Sequence, residues 1–178
     1  ANLALAHRAK ARCPELLVVH GGPSSPKFAA DAERFFSDHG PAVDVAVRGE
    51  GEATLVELLG ALADAGGGPP DLSGVAGLTY RDHRTGAIVR TADRERSTEL
   101  DLLPSPYLSG EFDHLDATAW TPEGGVLGLV IETNRGCPYG CTFCDWGSST
   151  LSRIRKFSLE RVEAEMRWAA SHGHHGWV

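Results

Sequence analysis

The sequence predicts an α/β protein in two parts, a partial Rossmann-like domain followed by the first βα unit of a barrel. Three observations predict it. Short apolar runs alternate with segments of helical period between residues 15 and 65. A hairpin pattern follows them. A later apolar run then leads through a cysteine-rich loop into a second amphipathic segment and the start of another strand.

Leu3 to Lys10 reads as the tail of a helix, Cys13-Pro14 as its end, and Glu15 to His20 as a buried strand closed by Gly21-Gly22-Pro23. Ala29 to His39, with Phe35 and Phe36 on its apolar side, reads as a helix that stops at Gly40-Pro41. Val43 to Val47 is the next strand. Arg48-Gly49-Glu50-Gly51-Glu52 is a Gly-rich turn feeding a helix from Ala53 to Ala65, whose expected buried face is Leu55, Leu58, Leu59 and Leu62. Gly66-Gly67-Gly68-Pro69-Pro70 ends it. Strand-helix units this short predict a parallel sheet with right-handed crossovers.

Val75 to Tyr80 and Ala87 to Thr91 read as a hairpin turning through Asp82 to Gly86. Residues 93–125 are rich in charge, proline and glycine and read as a linker, with Leu102-Leu103-Pro104-Ser105-Pro106 as its apolar anchor. Val126 to Thr133 is a strand, and the cysteine loop follows it. Ser158 has the chemistry of an N-cap, Glu160 favours the first turn, and Leu159, Val162, Met166 and Ala169 recur at helical spacing as core. Trp177-Val178 opens the following strand. The expected organisation is therefore a Rossmann-like domain over 1–92, a linker over 93–125 and a barrel start over 126–178. A full barrel takes about 250 residues. Ala1 stands inside a helical pattern and Val178 at the start of a strand, so the sequence is expected to be a piece of a longer chain.

The 178 residues are 42% hydrophobic with no long apolar run, and the formal net charge is −7 with both signs interspersed. This composition points to a globular chain without a membrane partner and argues against a general nucleic-acid surface. No charged and apolar leader pattern opens the sequence, and thiols meant for a cluster suit a reducing compartment, so a cytoplasmic location is expected.

Four cysteines are present, three of them in Arg135-Gly136-Cys137-Pro138-Tyr139-Gly140-Cys141-Thr142-Phe143-Cys144. A four-iron cubane needs four ligands, and this run supplies three thiolates. Cys13, far upstream beside Pro14, is a poor fourth. A 4Fe-4S cluster on Cys137, Cys141 and Cys144 would keep one iron open, as a catalytic zinc site keeps one position open. Arg135, beside an anionic cluster, would stabilise its reduced form. Two rival readings are zinc, recruiting His172, His174 or His175, and a plain electron-transfer cluster. Neither has the spacing that usually marks it. Cysteine density is too low for a disulfide framework. Arg153, Arg155 and Lys156 form a basic stretch just after the motif, either a solvated surface or a group near the cluster.

The spacing C-x3-C-x2-C within "RGCPYGCTFC" resembles the radical S-adenosylmethionine (radical SAM) superfamily. The resemblance implies that the three cysteines ligate a 4Fe-4S cluster and that S-adenosylmethionine binds the open iron. It further implies reductive cleavage to a 5'-deoxyadenosyl radical, and Phe143 packing near the adenine. The upstream half, through "VVHGGPSSP", "VDVAVRGEGEATLVELLGAL", "GVAGLTYRD" and "ELDLLPSPYL", resembles the cobalamin-binding domain that precedes the barrel in the cobalamin-dependent class. Together the two resemblances cover most of the chain from Glu15 onward. By position, Gly21, Gly22, Gly49, Glu50 and Gly51 are then the candidate cobalamin contacts, because glycine lets backbone approach a cofactor closely. Tight βα turns alone would also explain these glycines. No D-x-H-x-x-G run is present, and His20, at a strand end, is read as a core or edge histidine. Trp146 either shields the cluster or packs.

Within that class the commonest reaction is methyl transfer, so the resemblance implies a cobalamin-dependent methyltransferase. Its substrate would be a natural product, peptide or small metabolite, and an electron donor such as flavodoxin or ferredoxin would serve it. Two alternatives stay open: a cobalamin-independent radical SAM enzyme that forms rings, inserts sulfur or rearranges its substrate, and a non-enzymatic iron-sulfur or zinc protein.

Overall fold

The structure, a computed structural model, describes residues 2–114, 128–143, 152–173 and 176–177. It divides into two compact units, one ending at Arg96 and the other beginning at Ser97.

In the first unit the chain runs α1 (Asn2–Arg12), β1 (Val19–His20), α2 (Ala29–His39), β2 (Val45–Val47), α3 (Glu52–Asp64), β3 (Leu78–Arg81) and β4 (Ile88–Arg90). The four strands form one sheet in that order. β1 and β2 are parallel, with Val19 opposite Val45. β2 and β3 are antiparallel, with Val47 opposite Leu78, and β3 and β4 complete the expected hairpin.

The sheet is thus mixed rather than all parallel. After α3 a regular crossover would return the chain to the start of β2. Instead residues 66–77 run on until Gly77 accepts the Arg48 amide at 2.8 Å, beside the carboxyl end of β2. β3 therefore has to travel back along β2. Leu72 and Val75, carried on this return segment, are buried.

Successive residues of a strand face opposite sides of a sheet, and β2 is covered on both. Val45 and Val47 pack with Leu58, Leu72, Val75 and Leu78. Ala46 packs on the other side with Phe36, Ala42 and Val43, against which Leu3, Ala6 and Phe35 also lie. Asp44 ties α1 to the sheet, accepting from Lys10 Nζ at 2.8 Å and from the Val18 amide at 2.7 Å.

Two expectations for this unit change. β1 pairs over only two residues, and Leu16 and Leu17 upstream stay exposed, since β1 is an edge strand with a neighbour on one side alone. α3 buries Thr54 and Leu58, while Leu55 and Leu59 are 43% and 56% exposed. Thr54 fills an inward position because its hydroxyl is satisfied there, donating to Ala76 O at 3.1 Å and accepting from Arg94 Nε at 2.8 Å. An apolar periodicity does not register a threonine placed this way.

The second unit contains a short 3₁₀ turn (Leu100–Leu102), β5 (Gly128–Leu129), β6 (Asn134–Arg135), β7 (Arg155–Lys156), α4 (Leu159–Ser171) and β8 (Gly176–Trp177). β5 and β8 pair in parallel, with α4 between them in sequence. Ser158 caps α4 as expected, its Oγ accepting from the Arg161 amide at 3.2 Å, and its own amide donates to Asp101 Oδ1 at 3.0 Å. Leu100 is 1% exposed and Leu102 75% exposed, so the anchor of this segment is Leu100. On α4, Ala169 is buried but Leu159 and Met166 are exposed. Glu165 occupies a buried position, held by Arg161 Nε at 3.1 Å.

Candidate functional site

Two strand-end regions carry the candidate residues, one in each unit.

In the second unit, the chain leaves β5 at Val130, whose carbonyl accepts the Tyr107 hydroxyl at 2.7 Å. It then enters the loop through β6, which pairs antiparallel with β7, Arg135 opposite Arg155. This two-strand neck brackets the cysteine loop. Cys137 sits half-buried at its mouth, and Cys141 is exposed; both are free thiols. Phe143 is 90% exposed. Cys144 and Trp146 lie outside the described residues, as do His174 and His175. No group of three metal-ligating side chains is assembled among the described residues. The donor set still has the right chemistry, since free thiols on one short loop are what an iron-sulfur cluster requires.

Gly136 and Ser152 shape the neck. Gly136 has a φ of 104°, and a Cβ there would meet Arg153 O at 2.5 Å. No L side chain fits that approach. Arg135, expected to stabilise a reduced cluster, has its guanidinium on Glu132, with Nη2 to Oε2 at 2.9 Å. Arg155 of the basic stretch donates to Ser97 O at 2.6 Å, whereas Arg153 and Lys156 are exposed.

In the first unit, Gly21-Gly22 follows β1 and Gly49-Glu50-Gly51 follows β2, so the candidate contacts lie at the carboxyl ends of two adjacent parallel strands. Open α/β sheets bind ligands at such ends. Gly22 (φ 84°) and Gly49 (φ 72°) have open space where a Cβ would stand. Both glycines are exposed. Gly51 caps α3 and would bring a Cβ within 3.4 Å of Val47. His20 is turned to local use: Nδ1 lies 3.0 Å from Ser25 Oγ and the ring packs on Phe35 at 5.2 Å. Burial, then the charge of His39, lowers its pKa.

Arg48 organises this end of the sheet. It is 5% exposed, and its guanidinium donates to Thr79 Oγ1 at 2.8 Å, Thr91 O at 2.7 Å, Asp93 Oδ1 at 2.9 Å and, in close contact, Leu78 O. Asp93 also accepts from Arg90 at 2.7 Å, and Arg90 reaches Lys27 O at 2.7 Å. A cavity of about 210 Å³ lies beside this network, lined by Lys27, Arg48, Gly49, Glu50 and residues 93–96. In the sequence Arg48 reads only as part of the Gly-rich turn. A basic residue directly after three buried strand positions was the available signal.

The hydrogen bond from Arg48, then the charge of Arg90, holds the Asp93 carboxyl below the usual carboxylate range. A carboxyl lowered on folding stabilises above its unfolded value, and the contribution fades as pH falls through the folded value. Asp93→Asn is therefore expected to lower stability at neutral and basic pH and to flatten the acid limb, so that the variant and wild-type profiles converge as pH falls. Urea melts between pH 2 and 7 check this; an unchanged acid limb would contradict it.

No family model matches the chain. Curated proteins do. The chain is 42% identical over 173 residues to the cobalamin-dependent radical SAM methyltransferase TokK of Streptomyces tokunonensis, covering 96% of this chain and 24% of that protein. It is 45% identical over 174 residues to the 2-(S-pantetheinyl)-carbapenam-3-carboxylate methyltransferase of Streptantibioticus cattleyicolor, again over 96% of this chain and 24% of that protein. The chain belongs to the cobalamin-dependent class of the radical SAM superfamily. It spans about a quarter of the length of these curated relatives. Among solved structures of the class, the cobalamin-dependent S-adenosylmethionine radical enzyme OxsB, with aqua-cobalamin and S-adenosylmethionine bound, matches at a TM-score of 0.58 and 26% identity. That match covers 97% of this chain and 21% of OxsB. The mixed α/β fold is therefore that of this class. No described helix is long and apolar enough to cross a membrane.

Proposed function

We propose that the protein containing this chain is a radical SAM enzyme that transfers a methyl group with the help of cobalamin to a natural product, peptide or small metabolite. The observation that carries the reading is the C-x3-C-x2-C run with free thiols at Cys137 and Cys141, on a loop that follows one strand of a parallel pair. The names of the relatives support methyl transfer as the reaction.

In this reading residues 1–92 are the later part of a Rossmann-like cobalamin-binding domain, 93–125 a linker, and 126–178 the start of the radical SAM barrel. Cys137, Cys141 and Cys144 hold a 4Fe-4S cluster with one iron open to S-adenosylmethionine, and Phe143 packs near its adenine. Gly21, Gly22, Gly49, Glu50 and Gly51 present backbone to cobalamin, and the open space at Gly22 and Gly49 supports that assignment. When bound, the cluster supplies the electron that cleaves S-adenosylmethionine reductively, and cobalamin supplies the methyl carrier. A flavodoxin or ferredoxin would deliver that electron, in the cytoplasm.

The cobalamin half of the reading is tested by titrating the complete protein with hydroxocobalamin and following the visible absorbance. Saturable binding of one cobalamin per chain is expected, weakened by Gly49→Val, which adds a branched side chain at a positive φ. Absence of saturable binding by the unmodified protein would overturn the cobalamin assignment and leave a cobalamin-independent radical SAM enzyme.

A further inference from the structure

The neck of the cysteine loop departs from a regular ladder at one point. Asn134 pairs with Lys156 and Arg135 with Arg155, and the Phe157 amide donates to Thr133 O at 3.2 Å. Continued without change, this register would set Cys137 opposite Arg153. Instead the Ser152 amide donates to Cys137 O at 2.8 Å, and the Cys137 amide donates to Ser152 Oγ at 3.2 Å.

The outgoing segment therefore carries one residue more than the incoming one, and Gly136 faces the excess. That is the arrangement of a β-bulge, which bends a strand and re-aims the side chain beside it. Gly136 makes the slip sterically possible, since its φ is 104° and Arg153 O stands 2.5 Å from where a Cβ would be. Both main-chain polar groups of Cys137 are consequently held by one residue, Ser152. Half of that grip is a side chain, so it depends on the identity of residue 152.

We propose that Ser152 is a positioning residue for the iron-sulfur cluster. Through its hydroxyl it fixes the backbone of Cys137, and with Gly136 opposite the bulge it sets the direction in which the first ligand enters the loop. The inference rests on the reading of Cys137, Cys141 and Cys144 as cluster ligands. It adds a residue outside the cysteine motif on which cluster retention depends.

The test uses the complete protein, reconstituted anaerobically, as wild type, Ser152→Ala, Ser152→Thr and Gly136→Ala. Three readouts apply: iron and sulfide per chain, the rate of iron loss to a chelator, and the electron paramagnetic resonance spectrum of the reduced cluster. Partners just outside a metal's ligand shell typically govern about 10–100-fold in metal affinity. Ser152→Ala is accordingly expected to lose iron about tenfold faster or more and to show an altered spectrum. Ser152→Thr, which keeps the hydroxyl, is expected to restore both. Gly136→Ala is expected to load little cluster.

A Ser152→Ala protein that melts at a lower temperature but keeps the wild-type spectrum and iron-loss rate would overturn the proposal, because that is what a purely structural serine predicts. Wild-type protein that takes up no four-iron cluster would instead bring down the ligand reading beneath it.

Discussion

Replacing Cys137 with alanine in the complete protein is expected to abolish 4Fe-4S loading and, with it, cleavage of S-adenosylmethionine. A three-thiolate cubane already has one open iron, and removing a second ligand leaves two irons without protein sulfur. The loss should exceed the roughly 10–100-fold cost of disturbing a partner outside the ligand shell. Cys141→Ala and Cys144→Ala should behave alike. Cys13→Ala should not: that cysteine is exposed just after α1 in the other unit, and iron content is expected to stay at the wild-type value. Iron and sulfide analysis with 5'-deoxyadenosine formation checks the series. Equal loss in the Cys13 variant would contradict the assignment of ligands.

Arg48→Met is expected to destabilise the first unit by about 2–4 kcal/mol, since each buried polar group left without a partner costs about 1–3 kcal/mol. The side chain is almost fully buried and bonds the chain at Leu78, Thr79, Thr91 and Asp93. Leu78 O would keep the amide of Thr91 at 3.0 Å, so the cost falls mainly on Thr91 O and the Thr79 hydroxyl. Arg48→Lys retains the charge without the planar fork and should fall between the two. By contrast, loss of the solvent-exposed Arg34 beside Asp38 should change stability by less than about 1 kcal/mol. Urea denaturation measures all three. A neutral Arg48→Met would show that the network is dispensable.

What was legible in the sequence was local. The helix over Ala29–His39 has the boundaries its periodicity and Gly40-Pro41 predict, Ser158 caps α4, and the 78–90 hairpin turns through Asp82 to Gly86. The fold class, mixed α and β, and the cysteine spacing were equally plain, because they reside in contiguous residues. Pairing across distance was not legible. The antiparallel return of β3 depends on how far residues 66–77 run before pairing, and no periodicity encodes that. Polar side chains buried by a specific partner, Thr54, Arg48 and Glu165, were missed for the same reason: each looks like surface until its acceptor or donor is known. The grip of Ser152 on Cys137 joins residues on opposite sides of the loop, and only the three-dimensional register brings them together.

The central claim is that three cysteines hold a four-iron cluster whose remaining iron is open to S-adenosylmethionine. Its most direct test is electron paramagnetic resonance of the reduced, reconstituted complete protein, recorded with and without S-adenosylmethionine. A four-iron signal that changes on addition is the predicted result. A signal indifferent to S-adenosylmethionine, or zinc bound in place of iron, would contradict the claim and give the cysteines an electron-transfer or structural role.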